Sequence, residues 1–195
     1  MSVKGVKYPA EILNPEEVEA LMGACSPKCP TGLRNRALLA TLRSAGLRIS
    51  EALDLEPRDI QPCEGGANVR VRDGKGHKAR TTAMNDKALL ILQVWLERKK
   101  GMGIAGPIFS TLKGEPLWDS YVRDLLKRLA KKAGIEKRVH AHGFRHTFAA
   151  GLAETTTDIR VVQRALGHSN LATTATYVDH LCPTRALDAI KAAGW

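Results

Sequence analysis

The run His142-Gly-Phe-Arg145-His146 opens a segment in which Phe144, Phe148 and Leu152 recur at helical spacing. On a helix, His142 and Arg145 lie three apart and project together, which sets a titratable base beside a fixed cation. Ala45-Gly-Leu-Arg48-Ile-Ser-Glu51 places a second arginine and a carboxylate three apart, just after a glycine turn. Leu166-Gly167-His168 leaves a histidine where glycine lets a helix end turn sharply, and Tyr177 follows nine residues later. Lys75 stands at the tip of an expected hairpin, Asp73-Gly-Lys-Gly-His-Lys78.

Each piece alone also has an ordinary reading. His142 and Arg145 suit a solvated helix start, Arg48 and Glu51 an exposed ion pair, Tyr177 an amphipathic ring half-buried on a short helix, and Lys75 a common hairpin tip. Taken together they are two arginines, a lysine, two histidines and a tyrosine, with no carboxylate cluster that would hold magnesium. Two guanidinium forks and an imidazole suit a phosphodiester.

The elements that must hold these groups are mainly helical. Asn14 is a good N-cap, Pro15 suits the first helical position and Glu17 completes a capping box, with Val18, Leu21 and Met22 facing inward. A second helix is expected over 33–43, carrying Leu38, Leu39 and Leu42 and ended by Gly46; a short one follows over 48–55, stopped by Pro57. Over 59–84 the period changes to alternation, in Val69-Arg-Val-Arg72 and Arg80-Thr-Thr82, which implies a small antiparallel sheet. Its Gly-Lys-Gly turn lacks the spacing and the following helix of a phosphate-binding P-loop. Helices are then expected over 86–100, 119–133, 142–154, 158–166 and 183–193. The fold class is α+β, a mainly helical domain with a small three-stranded antiparallel sheet.

Composition narrows the partners. Thirty Lys and Arg against twenty Asp and Glu give a formal charge of +10, which favours an anionic partner, nucleic acid ahead of membrane. No run approaches a bilayer span and the N-terminus lacks a signal-peptide core, so a soluble, cytoplasmic protein is expected. Cys25 and Cys29 form one close pair with no second pair to complete a zinc site, so reduced thiols are expected, and no metal or cofactor.

In joint order and spacing, Gly46-Leu-Arg48-Ile-Ser-Glu51, Gly74-Lys75-Gly76, His142-Gly-Phe-Arg145-His146-Thr-Phe and Leu166-Gly-His168 followed by Tyr177 resemble the catalytic domain of the tyrosine recombinases, the phage integrase family. The resemblance runs from Pro9 to the C-terminus. It implies Tyr177 as nucleophile, Arg48 and Arg145 as phosphate clamps, His168 as a third donor, His142 as the proton handler and Lys75 as general acid. Lys75 is preferred to Lys78 because the Gly-Lys-Gly pattern matches. Glu51 would orient Arg48 or nearby helices, and His146 would support packing.

The activity implied is metal- and ATP-independent site-specific recombination of double-stranded DNA, in integration, excision or resolution, through a 3′-phosphotyrosyl intermediate. Relaxation of supercoils in the manner of a type IB topoisomerase, and DNA binding by a regulator without catalysis, are the alternatives. Residues 1–195 are expected to form a single catalytic domain, without the helical DNA-binding domain that most members carry ahead of it, either as a piece of a longer chain or as a minimal protein. A monomer is expected free in solution and a tetramer on DNA, with the C-terminal segment, including Leu187, Ile190 and Trp195, docking into a neighbour.

Overall fold

Asn14 accepts a hydrogen bond from the Glu17 amide at 2.8 Å while Glu17 Oε2 accepts one from the Asn14 amide at 2.8 Å, and behind this reciprocal cap runs α1 (Pro15–Ala24). The computed structural model describes residues 12–72, 79–156 and 158–168, with Asn170, Ala172, Thr174, Ala175, Val178, Asp179 and Lys191. The hairpin tip with Lys75, Tyr177, Cys182, and the expected helix over 183–193 apart from Lys191 lie outside the described residues.

Helix α2 (Pro30–Ala45) begins before the expected position because Pro30, whose missing amide costs nothing in a first turn, opens it. Its residues Ala37, Leu38, Leu39, Ala40, Leu42 and Ala45 are all buried, as befits a helix enclosed on every side. It packs against α4 (Asp86–Gly101), α6 (Ala141–Thr155) and the sheet. The α2 terminus is Gly46 at φ 60°, and a Cβ there would fall 2.1 Å from Cδ1 of Phe148 in α6. Only glycine permits both that backbone and that approach.

Arg48 caps α3 (Ile49–Leu53), which a turn of 3-10 helix, Pro57–Asp59, follows. The sheet runs β1 (Ile60–Cys63), β2 (Gly66–Val71), β3 (Arg80–Asn85), all antiparallel, with Ile60 opposite Val69 and Val71 opposite Arg80. Ala67, Val69 and Val71 of β2 face the core, as do Thr82 and Met84 of β3, and the period of two puts Arg80 on that same inner face. Thr82 Oγ1 donates to the Ala45 carbonyl at 3.1 Å, tying the sheet to the end of α2.

Asn85 caps α4 by accepting from the Ala88 amide at 3.0 Å, and inside that helix Trp95 is fully buried with Nε1 donating to the Ile108 carbonyl at 2.8 Å. Helix α5 (Asp119–Lys132) buries Val122, Leu125, Leu126 and Leu129. Phe144 joins the main core, whereas Ala149, Ala150 and Ala153 of α6 build a smaller cluster with Val162 and Leu166 of α7 (Ile159–Leu166) and with Val178. The architecture is the expected mainly helical α+β domain with its three-stranded sheet. No helix among the described residues is long and apolar enough to cross a membrane.

Cys25, Cys29 and Cys63 are free thiols. Burial pushes the Cys25 thiol up to about 11, which holds it neutral at pH 7 and makes it a poor metal ligand.

Candidate active site

Arg48 stands at the N-terminus of α3, His142 and Arg145 in the first turns of α6, and His168 just past Gly167, the left-handed residue (φ 64°) that ends α7. Three helix ends therefore meet at one centre. Helix ends expose backbone groups that have no partner inside the helix, and two such carbonyls are satisfied here by one side chain. Arg145 Nη1 donates to the Gly46 carbonyl at 2.7 Å and Nη2 to the Leu166 carbonyl at 2.6 Å, and Nη2 lies 3.5 Å from His168 Nε2. The guanidinium thus joins the negative ends of α2 and α7, where the helix dipoles favour a cation.

Arg145 is only 2% exposed. The ordinary alternative of a solvated helix start does not hold for Arg145: the two residues start from one helix, but Arg145 turns into the protein while His142 stays exposed. The reason is the pair of open carbonyls, which a guanidinium fork reaches and a hydrated surface position would leave unsatisfied.

His168 is held on every polar atom. Its Nδ1 is 3.0 Å from Thr174 Oγ1, its amide donates to the Gln163 carbonyl at 3.1 Å, and its carbonyl accepts from Gln163 Nε2 at 3.1 Å. Desolvation, then the charges of Arg145, Arg48, Arg80 and His142, push its imidazole down to about 4. It is neutral at pH 7. His142 also titrates below its usual 6.5, through desolvation first and then Arg145, His140 and Arg48. Its ring meets that of His146 edge-on, with centroids 4.4 Å apart, so His146 supports His142 directly. His140 caps the helix below them, its Nδ1 accepting from the Gly143 amide at 3.1 Å.

Glu51 is 5% exposed and receives Arg48 Nη1 on Oε1 at 2.6 Å and the Arg48 amide on Oε2 at 2.8 Å. A second arginine that sequence reasoning passed over completes the arrangement: Arg80 places Nη1 on Oε1 at 2.7 Å and Nη2 on Oε2 at 2.8 Å. Burial alone would raise the Glu51 pKa, but Arg80 and Arg48 bring it down to about 2. Three arginines against one carboxylate leave a net positive centre, which favours an anion. Among the described residues no group of His, Cys, Asp and Glu is placed to hold a metal ion. Lys75 and Tyr177 lie outside the described residues, so the structure brings together Arg48, His142, Arg145 and His168 of the six expected groups.

The helical frame with its small sheet is the catalytic fold of the tyrosine recombinases. The XerA recombinase superposes with a TM-score of 0.79 at 28% identity, covering 94% of this chain and 66% of that one. The XerH site-specific recombinase bound to palindromic difH substrate in a post-cleavage complex also gives 0.79 at 28% identity, covering 97% of this chain and 55% of that one. The phage integrase family profile matches residues 11–182, and the chain belongs to that family. Among curated relatives, the tyrosine recombinase XerC of Halalkalibacterium halodurans is 35% identical over 96% of this chain and 63% of its own length. XerC 2 of Ralstonia nicotianae is 37% identical over 89% of this chain and 51% of its own length. The chain thus spans between half and two thirds of these relatives.

Proposed function

We propose that the chain is the catalytic unit of a site-specific recombinase or integrase, which cuts and rejoins DNA strands through a 3′-phosphotyrosyl link to Tyr177. The observation that carries this reading is the meeting of Arg48, Arg145 and His168 at one cationic centre with the exposed, neutral His142 at its rim. Relatives and structural neighbours named as tyrosine recombinases, one of them bound to its DNA substrate, support it.

In this reading Tyr177 Oη attacks the phosphorus, the new O–P bond forms and the bond to the 5′ oxygen breaks. A phenol titrates near 10, so at pH 7 about one molecule in a thousand is ionised, and a base or cations must assist. His142, neutral because its pKa is depressed, accepts the phenolic proton. Arg48, Arg145 and His168 donate to the equatorial oxygens as their charge grows. Lys75 protonates the departing 5′ oxygen. The phosphotyrosyl link keeps the energy of the broken bond, so attack by a 5′ hydroxyl reverses the step without ATP.

Residues 1–195 are read as one catalytic domain acting on double-stranded DNA in the cytoplasm, a monomer when free and a tetramer on DNA. The test uses a duplex carrying the sequence this chain selects from a random pool, nicked so that the 5′ fragment is lost after cleavage. Wild type is expected to become covalently attached to the 3′ end on a denaturing gel, and Tyr177→Phe is not. Failure of the wild type to attach, or attachment of the Phe variant, overturns the reading.

A further inference from the structure

We propose that Arg80 is a positioning residue which, by clamping both oxygens of Glu51 from the side opposite Arg48, holds the Arg48 guanidinium open toward the phosphate. The inference rests on the reading above, and it concerns how that site keeps its shape.

Each oxygen of the Glu51 carboxylate accepts one bond from each arginine: Oε1 from Arg48 Nη1 and Arg80 Nη1, Oε2 from the Arg48 amide and Arg80 Nη2. A carboxylate and a lone guanidinium prefer to meet as two parallel bonds. Arg80 takes that bidentate place. Arg48 is left with a single side-chain bond to Glu51, and its Nε and Nη2 have no hydrogen-bond partner among the described residues. Those are the donors that a phosphate oxygen would need.

Arg80 also touches the third corner of the site. Its stem crosses Gly167, where a Cβ would fall 2.6 Å from Arg80 Cδ and 2.8 Å from Nε, so the turn that presents His168 is laid directly on Arg80. The side chain is 12% exposed and starts from the first residue of β3, on the inner face of the sheet. One arginine therefore underlies both Arg48 and His168, which belong to separate elements. Its charge is also among those acting on His168.

Losing Arg80 would free half of the Glu51 carboxylate. Arg48 would then swing Nη2 or Nε onto it and withdraw from the phosphate. A purely structural brace would instead lower stability and leave the fork of Arg48 where it is.

The experiment compares Arg80→Met and Arg80→Lys with wild type in three measurements. The first is the crystal structure of each variant, in which Arg48 is expected to bind both oxygens of Glu51 in the Met variant. The second is inorganic phosphate binding by the free chain, followed through the His168 imidazole resonance; an affinity roughly tenfold weaker is expected for Met, the value of about one charge-assisted bond. The third is the rate of covalent attachment to the nicked duplex at saturating DNA, expected to fall on the order of a hundredfold. Lysine keeps the charge but cannot span two oxygens, so its values should lie between the others.

An unmoved Arg48 together with wild-type phosphate affinity overturns the proposal. If the Met variant does not fold, the Lys variant decides, and wild-type behaviour from it overturns the proposal equally. Failure of the wild type itself to attach to DNA points to the recombinase reading, while the Arg48 conformation in the variants still decides the role of Arg80.

Discussion

Arg145 and Gly46 are joined across 99 positions of sequence by a 2.7 Å bond from Nη1 to the carbonyl that closes α2. The other arm of the same guanidinium closes α7 at Leu166. The side chain is thus a fastening of the fold as well as the proposed phosphate donor, and the two roles separate experimentally. Lysine in its place keeps the charge but reaches one carbonyl at most and strands the other. Arg145→Lys is expected to lower the unfolding free energy by about 2 kcal/mol, measured by urea denaturation. An unchanged midpoint and slope would mean that the two carbonyls find water instead.

Gly46 itself is doubly constrained, by φ 60° and by the Phe148 ring that a Cβ would strike at 2.1 Å. Gly46→Ala should cost about 2–4 kcal/mol, from the left-handed backbone and the clash together. Phe148→Ala removes the clash and leaves the backbone cost. The double variant is therefore expected to be more stable than the sum of the single losses by about 1 kcal/mol or more, read from a double-mutant cycle.

Much of the frame could be read before any coordinates, because helical spacing, caps and glycine stops act locally. The Asn14–Glu17 box and the Gly46 and Gly167 stops fell where local chemistry puts them. What local pattern could not show was the direction of buried polar groups. That Arg145 turns inward stays hidden until the open carbonyls of two distant helices are known. Arg80 was legible only in part: the period of two places it inward with Thr82 and Met84, and an inward arginine demands an anion. Nothing in the sequence said that the anion would be Glu51, 29 positions away. Thr174 and Gln163, which fix His168, likewise carry no signal of their own.

The imidazole of His168 gives stability a pH dependence of definite sign. Its pKa is 6.5 in an ordinary setting and about 4 in the folded chain. Between those values the unfolded chain binds a proton that the folded chain refuses, so stability rises with pH across the window and falls on acidification. His142, shifted in the same direction, adds to the trend. Melting temperature is expected to drop as pH goes from 6.5 toward 4, and His168→Gln should flatten that slope. A slope identical in the variant would show that His168 is not the group responsible.

Glu51 tests the electrostatics from the opposite sign. Its carboxyl titrates at about 2 in the folded chain against an ordinary 4.5, because two guanidiniums hold the ionised form. That contribution is fully present above 4.5 and is lost as pH falls toward 2, since the folded state keeps the anion while the unfolded state takes up the proton. In Glu51→Gln the amide can accept on one side only, and its NH2 faces an arginine that has nothing left to give its hydrogens to. Two half-buried guanidiniums then lack their counter-ion, and the cost at pH 7 should be about 2 kcal/mol. The gap between variant and wild type should narrow below pH 4.5, as protonation removes from the wild type the charge that the variant never had. Chemical denaturation from pH 7 to pH 3 reads both quantities. A gap that stays constant across that range would assign the stability of this corner to packing around Arg80 and Gly167 rather than to the shared carboxylate.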